Sequence, residues 1–199
     1  MAALDDAESI QPTSRAEWRQ WLADHHDSSP GVWVITYKKN AAKAGPTYED
    51  LVLEALCFGW IDSTARRVDE ERTKLYLCPR RRGGGWAATN KARIERLEAD
   101  GLIMPAGRAV IEQAMADGSW TKLDGSESLT VPRELRAALR RYPGSTKEFN
   151  GFPAGVRKQL IFWVDDAKRE ETKAKRADEI ARLAQQGIRA NQWVPKDRR

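Results

Sequence analysis

The chain has 199 residues, a formal net charge of +5 and 41% hydrophobic residues, enough to bury a substantial core without disulfides. No apolar stretch approaches the roughly 20 residues that a spanning helix needs. The acidic start MAALDDAESIQPTS has neither the basic opening nor the apolar run of an export signal, so a cytoplasmic protein is expected. Residues 167–199 hold ten Lys or Arg against five Asp or Glu, so this tail carries the whole surplus and the rest of the chain balances. Interspersed charge is the ordinary surface of an exposed helix. The other reading is electrostatic binding of nucleic acid or an anionic protein through the tail, with Trp193 stacking on a base.

In chain order, residues 1–13 read as a disordered lead. Ser14 and Glu17 have capping-box spacing and open a helix that buries Trp18, Trp21 and Leu22. Pro30 and Gly31 break it, and the β-branched, aromatic run VWVITY at 32–37 predicts a central strand covered on both faces. Thr47 and Asp50 form a second capping box, followed by Tyr48, Leu51, Val52, Ala55 and Leu56 at helical core spacing up to Gly59. IDSTARRV and KLYLCP, separated by the turn-prone 69–72, predict an antiparallel hairpin over 61–78. The run RRRGGG after Pro79 must be a loop, because three glycines in a regular element cost too much entropy.

From Trp86 onward the pattern is helical. One segment closes at Asp100-Gly101, and a second starts at Pro105, turns Val110, Ile111, Ala114 and Met115 inward, and closes at Gly118. Residues 121–130 are a polar connector. Three helices then open near Pro132, Pro143 and Pro153, the third carrying Val156, Leu160, Trp163, Val164 and Ala167 at core spacing. A last helix at about 171–186 has a thin stripe of Ala174, Ala177, Ile180, Leu183 and Ala184, so it should pack weakly or against a partner. The expected fold is α+β: an α+β unit at 14–120 with a small mixed or antiparallel sheet and flanking helices, a helical C-terminal unit at 121–187, and a flexible basic tail at 188–199.

The sequence offers no cofactor motif and no metal site, and no residue is assigned a catalytic role. His25 and His26 are adjacent, a spacing that cannot turn both rings to one metal from one helix face. RRRGGG lacks the Lys-Ser/Thr of a phosphate loop, and no G-x-S-x-G occurs. The informative stretch is Cys57 to Asn90, which concentrates Trp60, Asp62, Arg66, Arg67, Arg80, Arg81, Arg82, Trp86 and Asn90. Guanidinium forks beside indoles, with glycines that open the backbone, can build a pocket for a small anionic or aromatic ligand. Its candidate ligand-binding residues are Trp60, Asp62, Arg66, Arg80, Trp86 and Asn90. The competing account makes the tryptophans core anchors, with Asp62 holding Arg66 or Arg67 in a structural ion pair. An enzyme using the Cys57/Asp62 region is a further alternative, which requires a thiol pKa lowered by the arginines.

These residues also carry a resemblance. ALCFGWIDS (55–63), Pro79-Arg80, Trp86 with Asn90, GLIMPAG (101–107), DGSW (117–120) and AKREETKAKR (167–176) occur in order. Together, over about 14–187, they resemble the bacteriocin-protection (YdeI/OmpD-associated) family. The resemblance implies a role in tolerance of bacteriocins or cationic antimicrobial peptides and brings no reaction with it. Two departures stand out: where the family has serines around the tryptophan, as in S.WS, this chain has Gly84-Gly85-Trp86-Ala87, and the family's AK after the GLIMPAG helix is Ala114-Met115 here.

Overall fold

The structure is a computed structural model, and it describes residues 4–192. The fold is α+β. Trp193 and most of the basic tail at 188–199, including any contact they make with nucleic acid, lie outside the described residues. The chain divides into two compact units between Thr121 and Lys122.

The first unit holds β1 (Ser9–Ile10), α1 (Arg15–His25), β2 (Val32–Tyr37), α2 (Tyr48–Cys57), β3 (Trp60–Arg67), β4 (Arg72–Pro79), α3 (Ala88–Ala99) and α4 (Pro105–Ala116). The sheet order is β1-β2-β4-β3, with β1 parallel to β2 and the other pairs antiparallel, so the sheet is mixed. VWVITY is an internal strand, as its continuous hydrophobicity predicts. The hairpin also forms, with a bulge between Asp62 and Ala65. The acidic lead departs from expectation: it makes a short 3-10 turn at Leu4–Asp6, and β1 extends the sheet edge. A two-residue strand has no hydrophobic periodicity to read, which is why the sequence pattern misses it.

Both predicted helix starts are built. Ser14 Oγ accepts from Glu17 N, but the Glu17 carboxylate reaches one residue further back, to Thr13 N at 2.7 Å. Thr47 and Asp50 form the full reciprocal box. In α2 every residue from Leu51 to Cys57 is buried, but Tyr48 faces out and donates its hydroxyl to Asp62 at 2.9 Å. The core joins Trp18 and Leu22 of α1, Val32 and Val34 of β2, α2, Leu75 and Leu77 of β4, and Trp60, Trp86, Ile94, Leu97 and Ile111. Met115, expected inward, is exposed.

A charged group is buried in this core. The Glu54 side chain is 3% exposed and accepts from Arg15 Nε and Arg19 Nη1, each at 2.5 Å. Arg19 also donates to the Leu102 carbonyl at 3.1 Å, so one ionic group ties α1 and α2 to the turn ahead of α4. That turn is pinned again by Met104 N donating to Cys57 O at 3.0 Å. Gly107 of α4 then packs on the same carbonyl: a Cβ there would overlap the oxygen and come within 2.8 Å of the Cys57 carbon.

The second unit holds α5 (Asp124–Glu127), α6 (Arg133–Arg141), α7 (Ser145–Gly151), α8 (Ala154–Asp165) and α9 (Glu170–Ala184). Pro132 and Pro153 sit at the N-caps of α6 and α8, and Gly144 starts α7 with φ +80°. The expectation that the last helix packs weakly is corrected. Ala177, Ile180, Ala181 and Ala184 of α9 are fully buried with Leu135, Ala138, Phe149, Leu160, Ile161 and Val164. Alanines make a thin stripe in hydropathy but let helices approach closely, so a narrow face still closes a core. Ala190, in the expected tail, is buried in the same cluster.

Removing the Glu54 carboxylate should cost about 2–4 kcal/mol, because two charge-assisted hydrogen bonds at a buried site are lost. Urea unfolding of Glu54→Ala tests this. A loss of under about 1 kcal/mol would mean that the three-way contact is solvated and contributes no more than a surface pair.

Candidate functional site

The loop between β4 and α3 is held at both ends. Pro79 ends the strand, and Arg80 N then donates to the Gly59 carbonyl at 3.0 Å. Gly84 N closes a turn onto Arg81 O at 3.2 Å, with Gly83 in the left-handed region at φ +73° that glycine tolerates best. The chain then drives Trp86 into the core and begins α3 at Ala88.

Within this frame the Arg80 guanidinium lies flat on the Trp86 indole, its Cζ 3.7 Å from the ring centroid, and its Nη2 donates to the Gly85 carbonyl at 2.6 Å. Its Nε and Nη1 are buried and have no hydrogen-bond partner. Burial pushes the guanidinium down to about 10, and the Asp62 charge offsets this in part. Beside the stack is a cavity of about 270 Å³, lined by Arg80–Gly84, Trp86, Val110 and Gln113 of α4, and Asp117 and Ser119 just beyond it. Trp120 closes on Trp86 at 4.9 Å between ring centroids. The Asp117 carboxyl is held below its usual range by hydrogen bonds from Ser119, with Arg82 adding to the effect.

Of the six residues expected to bind a ligand, Arg80 and Trp86 come together at this cavity, and the other four lie elsewhere. Trp60 is a core anchor, donating its indole N–H to His26 O at 3.0 Å and packing its ring against Trp21. Asp62 accepts from Tyr48 rather than holding Arg66 or Arg67. Those arginines pair with Asp5 and Glu70. Arg66 also lies over Trp33. Asn90 is buried and accepts from Arg93 Nη1 at 2.9 Å, while Nε and Nη2 of Arg93 fork onto Glu49 at 3.0 and 2.6 Å. The α4 wall was visible in sequence only as a helix. Its approach to the glycine loop depends on the Gly107 contact, which no periodicity encodes.

The two departures from the bacteriocin-protection pattern acquire physical meanings. Ala87 is the N-cap of α3 and makes no side-chain cap, so a serine there would supply one. Position 115 is exposed on α4, so a lysine there would face solvent. Both thiols are pushed up by burial, which Arg19 at Cys57 and Arg81 at Cys78 offset only in part. That is the opposite of what a thiolate nucleophile requires. Among the described residues no group of three or more His, Cys, Asp or Glu could hold a metal ion.

Two substitutions separate packing from recognition here. Ala87→Ser should raise the unfolding free energy by about 1 kcal/mol through the missing cap. Arg80→Met keeps the apolar stem on Trp86 and removes the buried, incompletely bonded cation, so its melting temperature should equal or exceed that of the native protein. A fall of several degrees in Arg80→Met would show that the cation itself holds the loop.

A family model described as a domain of unknown function (DUF8412) matches residues 10–110, and one described as bacteriocin-protection, YdeI or OmpD-associated matches residues 128–187. No curated protein and no solved structure matches the chain. The likeness expected over about 14–187 is thus matched as the bacteriocin-protection domain within the second unit, including AKREETKAKR, while Arg80–Gly84, Trp86 and Val110 of the cavity fall in the span of the other model and Gln113, Asp117 and Ser119 lie outside both. The chain belongs to the family of the domain of unknown function through just over half its length, and it carries a bacteriocin-protection, YdeI or OmpD-associated domain at 128–187.

Proposed function

We propose that the protein is a non-catalytic, cytoplasmic ligand binder that contributes to tolerance of bacteriocins or cationic antimicrobial peptides. In this reading the Arg80–Trp86 cavity receives a small anionic or aromatic ligand. The observation that carries the reading is the pair of Arg80 nitrogens, Nε and Nη1, buried beside a cavity without a hydrogen-bond partner. Buried guanidinium donors are nearly always paired, and leaving them unpaired costs stability, so a site that keeps them is holding them for another group. Because both nitrogens are covered, an anion reaches them only when the wall moves. The Gly83-Gly84-Gly85 run is the part of that wall with the fewest steric limits.

The domain at 128–187 supports the tolerance role by association, since a family name supplies no mechanism. Physics narrows the route. A protein with surplus positive charge does not attract cationic peptides over distance, so protection acts through an anionic ligand or partner.

A deletion strain challenged with a cationic peptide should become more sensitive, and the native gene should restore tolerance where Arg80→Met, folded and equally abundant, does not. Unchanged sensitivity in the deletion strain removes the tolerance role. Full complementation by Arg80→Met removes the cavity from it.

A further inference from the structure

The second face of the sheet is built differently from the first. Val32, Val34, Leu75 and Leu77 point into the core, and the alternate residues Trp33, Lys74 and Tyr76 point away from it. Trp33 is 0% exposed, yet it belongs to neither hydrophobic core cluster. It is covered by charge and by backbone instead. Lys74 Nζ lies 4.5 Å and Arg66 Cζ 5.1 Å from its ring centroid, and Tyr76 tilts against it at 5.3 Å. Its indole N–H donates to Leu4 O at 2.7 Å, and Asp5 pairs with Arg66.

The cover is therefore the acidic N-terminal segment, which carries Asp5, Asp6 and Glu8 and no basic residue among residues 4–10. It is lightly fastened: a two-residue strand, the indole hydrogen bond and an ion pair whose Asp5 side chain is 75% exposed. A cavity of about 510 Å³ lies beside it, lined by Leu4, Asp6 and Glu8 of the segment, by Ser63 and Tyr76 of the sheet and by Arg81 of the loop after β4. An aromatic pair flanked by cations is the composition that binds single-stranded nucleic acid, with bases stacking on the rings and phosphates meeting the charges. The segment places a carboxylate on Arg66 and a carbonyl on the indole, as a phosphate and a base would.

We propose that this sheet face is a binding surface for single-stranded nucleic acid, and that the acidic N-terminal segment occupies it as a displaceable mimic. The surface borders the Arg80 cavity at Arg81, which lines both, but Trp33, Lys74, Arg66 and Tyr76 take no part in that cavity. An acidic protein meets the charges equally well but has no use for Trp33 and Tyr76, and on that ground nucleic acid is the favoured occupant.

The test uses the full chain and a fluorescent oligothymidylate, read by anisotropy. Asp5→Ala/Asp6→Ala should bind about 5-fold or more tightly than the native protein, and the gain should shrink between about 50 and 200 mM salt. Glu95→Ala/Glu112→Ala removes equal charge from exposed sites on α3 and α4 and should leave affinity within about 2-fold. Adding Lys74→Gln or Arg66→Ala to the Asp5/Asp6 variant should abolish the gain, and two such variants guard against one failing to fold. Equal gains in both double variants, a gain that survives loss of Lys74 and Arg66, no oligonucleotide binding by any variant, or equal competition by poly-glutamate would each overturn the proposal. None of these outcomes depends on Arg80, so failure here leaves the cavity untouched.

Discussion

The first unit depends on one buried carboxylate. Glu54 lies in a helix whose other buried positions are apolar, and it draws Arg15 and Arg19 of α1 over the core. Arg19 passes the constraint to the Leu102 carbonyl, which fixes where the chain turns into α4. Gly107 then lets α4 press against the end of α2, and only at that separation do Val110 and Gln113 face the glycine loop across the cavity. A buried ionic contact adds little stability over an apolar substitute, but it has one geometry, so its value here is positional.

The cavity inherits a polarity problem from that arrangement. Trp86 is an apolar anchor at the foot of α3, and Arg80 is the first residue beyond β4, so the backbone brings an indole and a guanidinium face to face. Stacking satisfies the flat face of the cation and leaves its in-plane donors to be met at the edge. Gly85 meets one of them, at Nη2. The loop contributes glycines where a side chain could have closed the edge, which keeps the arrangement incomplete by construction.

Much of the fold was legible in the sequence because it rests on local signals. Two capping pairs, Ser14/Glu17 and Thr47/Asp50, placed α1 and α2, and alternating and continuous apolar runs placed β2, β3 and β4. What stayed hidden was set at long range. β1 is too short for a pattern, α9 hides its core face in alanines, and Tyr48 leaves the core for Asp62 across a tertiary contact. The site follows the same rule. Arg80 and Trp86 are close in sequence and meet in the structure, whereas Trp60, Asp62, Arg66 and Asn90 share the composition but are dispersed by the strand and helix directions to the core, to Tyr48, to Asp5 and to Arg93. Density of arginine and tryptophan in a segment locates a neighbourhood; the pleat and the helix period decide which of them meet.

The central claim is that the Arg80 guanidinium is kept for a ligand, and its own Nε–H reports on it most directly. Titrating the ¹⁵N-labelled protein with benzoate and with inorganic phosphate while following the arginine Nε–H resonances should move the Arg80 signal and slow its exchange with water, with smaller effects on the other arginines. If neither probe moves Arg80, or if it shifts no more than exposed Arg133, the buried donors are a feature of packing and the account of the site is wrong.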